Sequence, residues 1–327
     1  MAPGAIILAY HRVAAPPSDA RLLCVTPEHF RQHLEVLARY WSVVPLSWLP
    51  AVLAARRPFR RVVAVTFDDG YADNLYAAKP LLEQYGIPAT VFVTTGYLGG
   101  RQFWGDLLEE VLLGPGPVPP VLRVAIGGAV HEWAVDGAAR DGRPGARGWH
   151  VLQEAPPRSR EHVLRTLHAL VRVRPDAERR RIAEAVRRWA ERPREGHDAT
   201  WGRGLSADEV AQLAAGGLVE VGAHTVTHPV LALLSVRRQR AEIRKSKARL
   251  EAIVGRRVTS FAYPYGSLAD YSPATVGMVR EAGFERACGF FEGLVQGHTD
   301  PYQLPRCGVW DWDGDEFARR LRTWAGL

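Results

Sequence analysis

The apolar run Val62-Val63-Ala64-Val65-Thr66-Phe67 ends abruptly in two adjacent carboxylates and a glycine, Asp68-Asp69-Gly70. A helical pattern runs from Tyr71 to Tyr85, Gly86 stops it, and a second apolar run follows, Ala89 to Val93. Strand, helix, strand is the βαβ unit of a parallel sheet. Further strands are expected at Ile6–Val13, Leu218–Ala223, Thr259–Tyr263 and Glu285–Gly289. Helices are expected from a capping box at Ser206-Ala207-Asp208-Glu209 through Ala215, from Ser235 to Val254 with Gly255 as the stop, from Pro273 to Ala282, and from Asp315 to Trp324. The alternation predicts the α/β class.

Residues 101–204 interrupt this alternation. Gly114-Pro115-Gly116-Pro117 and Pro119-Pro120 mark a loop, and Val121 to Val135 predicts a hairpin around Gly127-Gly128. A Gly/Arg-rich link follows, then helical stripes over Arg158–Val173 and Asp176–Glu191. The second stripe has Arg179, Arg180, Arg181, Arg187 and Arg188 on a basic face. The division expected is 1–100 with 205–327 as one domain, and 101–204 as a mostly helical insertion. The basic face reads as a solvated surface, or as a lid meeting an anionic substrate or a membrane surface.

Asp68 and Asp69 sit at the carboxyl end of a strand, where α/β folds place their chemistry. Neighbouring strand residues point to opposite sides, so both carboxylates can share one cavity only after a turn, which Gly70 can supply. A second strand end reads the same way: Leu218 to Ala223 runs into His224-Thr225-Val226-Thr227-His228-Pro229. Two imidazoles separated by three residues can reach one ion from a helical turn or a tight loop, and Pro229 favours the loop. With the carboxylates they form a candidate Asp/His/His set suited to zinc or another first-row divalent ion.

Thr66-Phe67-Asp68-Asp69-Gly70 and His224-Thr225-Val226-Thr227-His228 resemble the first two motifs of the polysaccharide deacetylases, carbohydrate esterase family 4. The resemblance covers residues 1–100 and 205–327. It implies a distorted (β/α) barrel with seven strands, hydrolysis of N- or O-acetyl groups on glycans, and a divalent ion. Zinc is the first expectation, with cobalt, nickel and manganese as alternatives. Carried over residue by residue, Asp68 is the catalytic base, and Asp69, His224 and His228 are the metal ligands.

Two motifs depart from the family pattern. Its third motif reads Arg-Pro-Pro-Tyr-Gly, whereas this chain has Ala262-Tyr263-Pro264-Tyr265-Gly266. The Tyr265 backbone N–H can still serve an oxyanion, because any residue but proline has one. The arginine that pairs with the base is missing there, and Arg306 is a candidate substitute alongside its reading as a surface arginine. The closing Leu-x-His motif is absent after Trp310. Instead, the strand Ile6–Tyr10 ends in His11, as in the circularly permuted branch, which makes His11 the candidate general acid. His298, in Gly-rich surroundings, is the weaker candidate. Trp310 and Trp312 flank Asp311 and could stack on a sugar ring or simply fill a core.

Composition adds boundaries. At 327 residues and 47% hydrophobic content the chain can bury a large core. Three scattered cysteines argue against a disulfide framework or a cysteine-ligated metal. A net charge of +7 comes without a nucleic-acid motif, so no nucleic-acid partner is expected. The N-terminus lacks the features of a signal peptide and no run is long enough to span a bilayer. These features point to the cytoplasm, and to an N-acetylated saccharide, a biosynthetic precursor or a lipid-linked glycan at the inner membrane face. The activity expected is metal-dependent N-deacetylation. Hydrolysis of a non-sugar amide, or glycan binding without turnover, are the alternatives.

Overall fold

Strand β1 (Ala5–Tyr10) lies between β5 (Val62–Phe67) and β12 (Cys307–Gly308), all parallel. The computed structural model describes residues 4–54, 61–138, 149–192 and 202–327. These divide into two compact units: 4–15, 23–100 and 204–327 form one, while 16–22 and 101–203 form the other.

In the first unit the sheet order is β11 (Arg286–Cys288), β10 (Ser260–Ala262), β9 (Val219–Ala223), β6 (Ala89–Val93), β5, β1, β12. Leu304 bridges Cys288 of β11, and three residues later Cys307 pairs with Leu8. The segment 304–309 therefore joins the last strand to the first. Seven parallel strands curl into a distorted (β/α) barrel. Part of the distortion comes from β4 (Ser42–Val43), which takes the first half of one β5 edge, while β6 takes the second half.

The strands read as unbroken apolar runs because both faces are covered. Side chains alternate between two packed layers. Ala5, Ile7, Val62, Ala64, Phe92, Ala262, Cys288 and Leu304 belong to one cluster. Ile6, Leu8, Tyr10, Val63, Val65 and Phe67 belong to the other, with α1 (Pro27–Tyr40), α8 (Val236–Val254) and α10 (Gly314–Ala325) contributing Phe30, Ile243 and Phe317. The first cluster fills the inside of the barrel, and the second lies between sheet and helices. All three cysteines are buried and free.

Tyr71 to Tyr85 departs from the single helix that its pattern suggests. The chain forms a widened π turn over Asn74–Ala78 and becomes α-helical only at α3 (Lys79–Tyr85). Lys79 N–H reaches back five residues to Asn74 O. Pro80 has no N–H to give, and its ring would crowd the carbonyl of Tyr76 in a regular helix. Helix α1, opened by Thr26 and Pro27, is an element the strand-end reading passes over.

In the second unit, α4 (Trp104–Leu113), α5 (Arg160–Arg172) and α6 (Asp176–Trp189) pack on one another, and α6 packs on β7 (Val121–Ile126) of a hairpin with β8 (Ala129–Ala134). Leu122, Val124 and Ile126 are buried while Val121, Arg123 and Ala125 face solvent, the one-sided alternation of an antiparallel strand. The basic face of α6 differs from expectation. Arg179 is fully buried, over the Trp104 ring and beside Asp176. Arg180, Arg181 and Arg187 pair with Asp176, Glu178 and Glu184. Acids one turn away offset part of the charge of the helix. The Gly/Arg-rich link falls largely outside the described residues.

Candidate active site

The inward alternation of the barrel strands continues past their carboxyl ends. On β5, Val62 and Ala64 face inward, and Thr66 and Asp68 hold the next positions in that register. On β1, Ala5 and Ile7 lead to Ala9 and His11. On β9, Val219, Val221 and Ala223 belong to the outer layer, which gives His224 the inward register. Leu304 precedes Arg306 in the same way. Four polar residues from four segments thus share one end of one barrel.

Arg306 grips Asp68 with both ends of its guanidinium. Nη1 donates to Oδ1 and Nη2 to Oδ2, each at 2.7 Å. Nε donates to Gly289 O at 2.7 Å, and Nη1 also reaches Thr66 Oγ1. Both side chains are buried. A two-point Arg–carboxylate pair fixes orientation as well as charge. Burial alone would raise the Asp68 carboxyl, but the Arg306 charge, helped by His224 and His11, outweighs it. Asp68 is held well below the usual carboxylate range, so it is ionised at neutral pH.

The remaining site residues depend on left-handed backbone. Asp69 has φ 72° and Gly70 φ 77°, so the turn expected of the glycine alone is shared between both residues. A Cβ on Gly70 would also meet Val93 at 3.0 Å. Without this turn Asp69 would follow Phe67 to the outer layer. Thr225, His228 and Tyr265 are left-handed as well, at φ 65°, 54° and 61°. Such conformations cost about 1–3 kcal/mol each and persist where surroundings enforce them. Here the enforcement is visible. Thr94 N–H donates to Asp69 O, Thr94 Oγ1 to His224 O, and His228 N–H to Thr225 Oγ1. Glu242 of α8 accepts from Val226 N, Thr227 N and Thr227 Oγ1 at 2.7–2.8 Å. Gly96 N–H meets Val226 O at 2.6 Å, an approach a Cβ would block.

Together these turns bring Asp69 Oδ1 to 3.7 Å from His224 Nε2 and 3.3 Å from His228 Nε2. One ligand atom from each residue lies within 4.8 Å of the other two. His224 Nδ1 lies 2.8 Å from Ala262 O. A carbonyl can only accept, so Nδ1 carries the hydrogen and Nε2 presents its lone pair. Burial lowers the pKa of His224 despite the nearby Asp68 charge, which favours the neutral ligand form. Carboxylate oxygen and two imidazole nitrogens are the donor set that zinc and its first-row neighbours take. The residues present fit a divalent ion.

Tyr265 sits edge-on to the His228 ring at 4.7 Å between centroids. His11 is partly exposed, 6.0 Å from the Phe290 ring. Two residues that sequence reasoning missed hold its segment. Asn74 Nδ2 donates to His11 O at 2.9 Å, and Asp73 accepts from Arg12 Nε and Val13 N. Asp73-Asn74 follows the aspartate pair by one helical turn, but only the fold shows that β1 lies there. Trp312 is half-buried against Trp324 and beneath Arg320, while Trp310 is 39% exposed beyond β12. Asp311 ties this loop to Thr26 and His29. His298 is exposed in a turn after Val295, which bridges Ala5. That is the amino end of β1, the opposite end of the barrel from Asp68.

The family model for polysaccharide deacetylases matches residues 55–113 and 183–287, half of the chain. The chain belongs to the polysaccharide deacetylase family. The unmatched stretch of this family member between those segments lies inside the second unit. YxkH of Bacillus subtilis (strain 168), a protein named for the same family, is 33% identical over 106 residues, 32% of this chain. The match spans about a third (36%) of the length of YxkH. Among solved structures, the Streptococcus pyogenes deacetylase PplD in complex with acetate superposes with a TM-score of 0.60 at 16% identity, covering 98% of this chain and 99% of PplD. IcaB from Ammonifex degensii gives 0.59 at 20% identity, covering 99% and 98%. At such identities these two establish the shared fold.

Proposed function

We propose that this family member is a metal-dependent hydrolase that removes acetyl from an N-acetylated sugar of a glycan or glycan precursor, releasing acetate. The observation that carries the reading is the division of labour between adjacent carboxylates. Asp68 is committed to Arg306, while Asp69 faces two imidazoles with their Nε2 atoms turned towards it. A divalent ion held by Asp69, His224 and His228, zinc first and cobalt, nickel or manganese as alternatives, would polarise the acetyl carbonyl and acidify water.

Asp68 then accepts the proton of the attacking water. Its pairing with Arg306 makes it a weak base, so orientation and permanent ionisation are its contribution, and the water it serves has to be an acidified one. The Tyr265 backbone N–H donates to the developing oxyanion. His11 gives a proton to the departing amine, the role that the circularly permuted branch assigns to the first strand. Asp73 and Asn74 position His11 by holding its own carbonyl and the two residues that follow it. The glycan-binding alternative rests on the vacant arginine at Ala262, and Arg306 supplies that charge from just before β12. Trp310 and Trp312 remain the candidate sugar-stacking residues, with Trp310 the more accessible.

Among the described residues no helix is long and apolar enough to cross a membrane. A lipid-linked or surface-bound glycan remains within this proposal. An acetate-release screen over N-acetylated oligosaccharides tests it. The expected result is release that stops with chelator and returns with zinc or cobalt. Release that survives full chelation would overturn it.

A further inference from the structure

Helices α6 and α8 are both arginine-rich, and they dispose of their charge differently. In α8 the two acids are half-buried and engaged by neighbours. Glu242 holds the loop between His224 and His228, and Glu251 accepts from Val258 N and pairs with Lys247. Gln239, Ile243, Ser246 and Leu250 bury the opposite stripe. Every exposed charge on α8 is consequently a cation: Arg237, Arg238, Arg240, Arg244, Lys245 and Arg249. Arg240 pairs with Glu281. Among the described residues no carboxylate pairs with the other five.

The amino end of this helix carries exposed apolar side chains. Leu233 is 61% and Val236 51% exposed, and Leu268 in the next turn is 64% exposed. Ala232 N–H donates to Asp270 O at 2.9 Å, tying the two turns together. These turns directly follow His228 and Tyr265, so they form the rim of the candidate site. One exposed leucine needs no explanation. Three apolar side chains at one rim, backed by a wholly cationic helix face, match the boundary zone of an anionic bilayer, with apolar tips among acyl chains and cations on phosphates. A single-stranded nucleic acid would ask for aromatic stacking surfaces, and the exposed residues of α8 and these two turns include none.

We propose that this face docks on an anionic lipid membrane. Leu233, Val236 and Leu268 enter the headgroup boundary. Arg237, Arg238, Arg244 and Lys245 meet lipid phosphates. The rim of the site is thereby presented to a glycan at the bilayer surface; this last clause rests on the function proposed above, whereas the docking does not.

The test is co-sedimentation of the full chain with vesicles of phosphatidylcholine, alone or mixed with phosphatidylglycerol. The wild type should bind the mixed vesicles, weaken with added salt, and leave neutral vesicles unbound. Each cation near an anionic surface strengthens binding about fivefold, so replacing Arg237, Arg238, Arg244 and Lys245 together by Gln should weaken it by roughly a hundredfold or more. Leu233→Gln with Leu268→Gln should cost about tenfold, the worth of two partly buried leucines. Arg180→Gln with Arg181→Gln, on α6 where both are paired with acids, should leave binding unchanged. Unaltered circular dichroism shows that the variants are folded. Equal binding to neutral vesicles, equal loss from the α6 variant, or an RNA oligonucleotide that displaces the vesicles through the same four cations would each overturn the proposal. Because vesicle binding needs no turnover, an inactive protein that still docks would sink the deacetylase reading alone.

Discussion

Both units bury charge, with opposite results. In the second unit, Arg21 lies between Asp106 and Glu109, at 2.5 and 3.2 Å. Glu109 also accepts from Ser18 Oγ and Ala20 N. Opposite charges and donors close on one another, and the product is an anchored segment. At the barrel rim Asp68 is closed in the same way by Arg306. Its neighbour Asp69 instead faces two imidazole nitrogens, with one ligand atom from each of the three residues within 4.8 Å of the others, a donor set that suits a divalent cation. A buried cluster that closes on itself builds structure, and one whose donors converge on a common point suits a ligand.

The largest effect that would break this comparison lies at the rim. His11→Ala should cut kcat on an acetamido sugar by about a hundred- to ten-thousand-fold, the usual worth of a placed acid. The loss should shrink on an aryl acetate, whose phenolate leaves without a proton. Equal loss on both substrates would make His11 structural.

Arg306→Met comes next. It strands the Asp68 carboxylate and should cost about 3–5 kcal/mol in urea unfolding. In the wild type the depressed Asp68 carboxyl contributes stability that is complete above the unfolded value near 4 and is lost as pH falls towards its lower folded value. In the variant burial, the largest single cause, is opposed only by His224 and His11, so the carboxyl should rise and stability should fall as pH rises above about 4. A variant with the wild-type pH profile would contradict the pairing.

Arg21→Met sharpens the contrast from the other unit. Arg21 is partly exposed, so the cost should be smaller, about 1–3 kcal/mol, with bound metal and kcat retained. Loss of metal from this variant would erase the distinction between the two clusters. A milder effect concerns His33, fully buried between Tyr10 and Trp312 O. Burial lowers its pKa to about 4 against a backbone hydrogen bond that raises it. The neutral ring contributes stability that is complete above about 6.5 and declines below it at about 1.4 kcal/mol per pH unit. His33→Gln should flatten the decline between pH 6.5 and about 4, whatever its effect on baseline stability.

Much of the site was legible because strand register is rigid. Asp68 and His224 follow from counting inward positions along β5 and β9, and His11 and Arg306 obey the same count on β1 and before β12. What the sequence did not carry was the neighbourhood. Nothing local joins Arg306 to Asp68, 238 residues away, and the pair exists because segment 304–309 runs beside β1. The left-handed turns at Asp69, Thr225, His228 and Tyr265 were hidden for another reason. Two of these residue types, Thr and Tyr, seldom adopt such backbone, and the hydrogen bonds of Thr94, Thr225 and Glu242 that brace Asp69 and the 224–228 loop come from the fold. Arg179 misled because the helical stripe locates a face without saying what covers it.

The measurement that bears most directly on the account compares two single variants by metal analysis and acetate release. Asp68→Asn should keep one divalent ion per chain and release no acetate, because the role proposed for Asp68 is the base and not a metal ligand. His228→Ala should lose the ion and the acetate together. An Asp68→Asn variant that releases acetate at the wild-type rate, or a His228→Ala variant that holds its ion as tightly as wild type, would contradict the division between the two adjacent carboxylates.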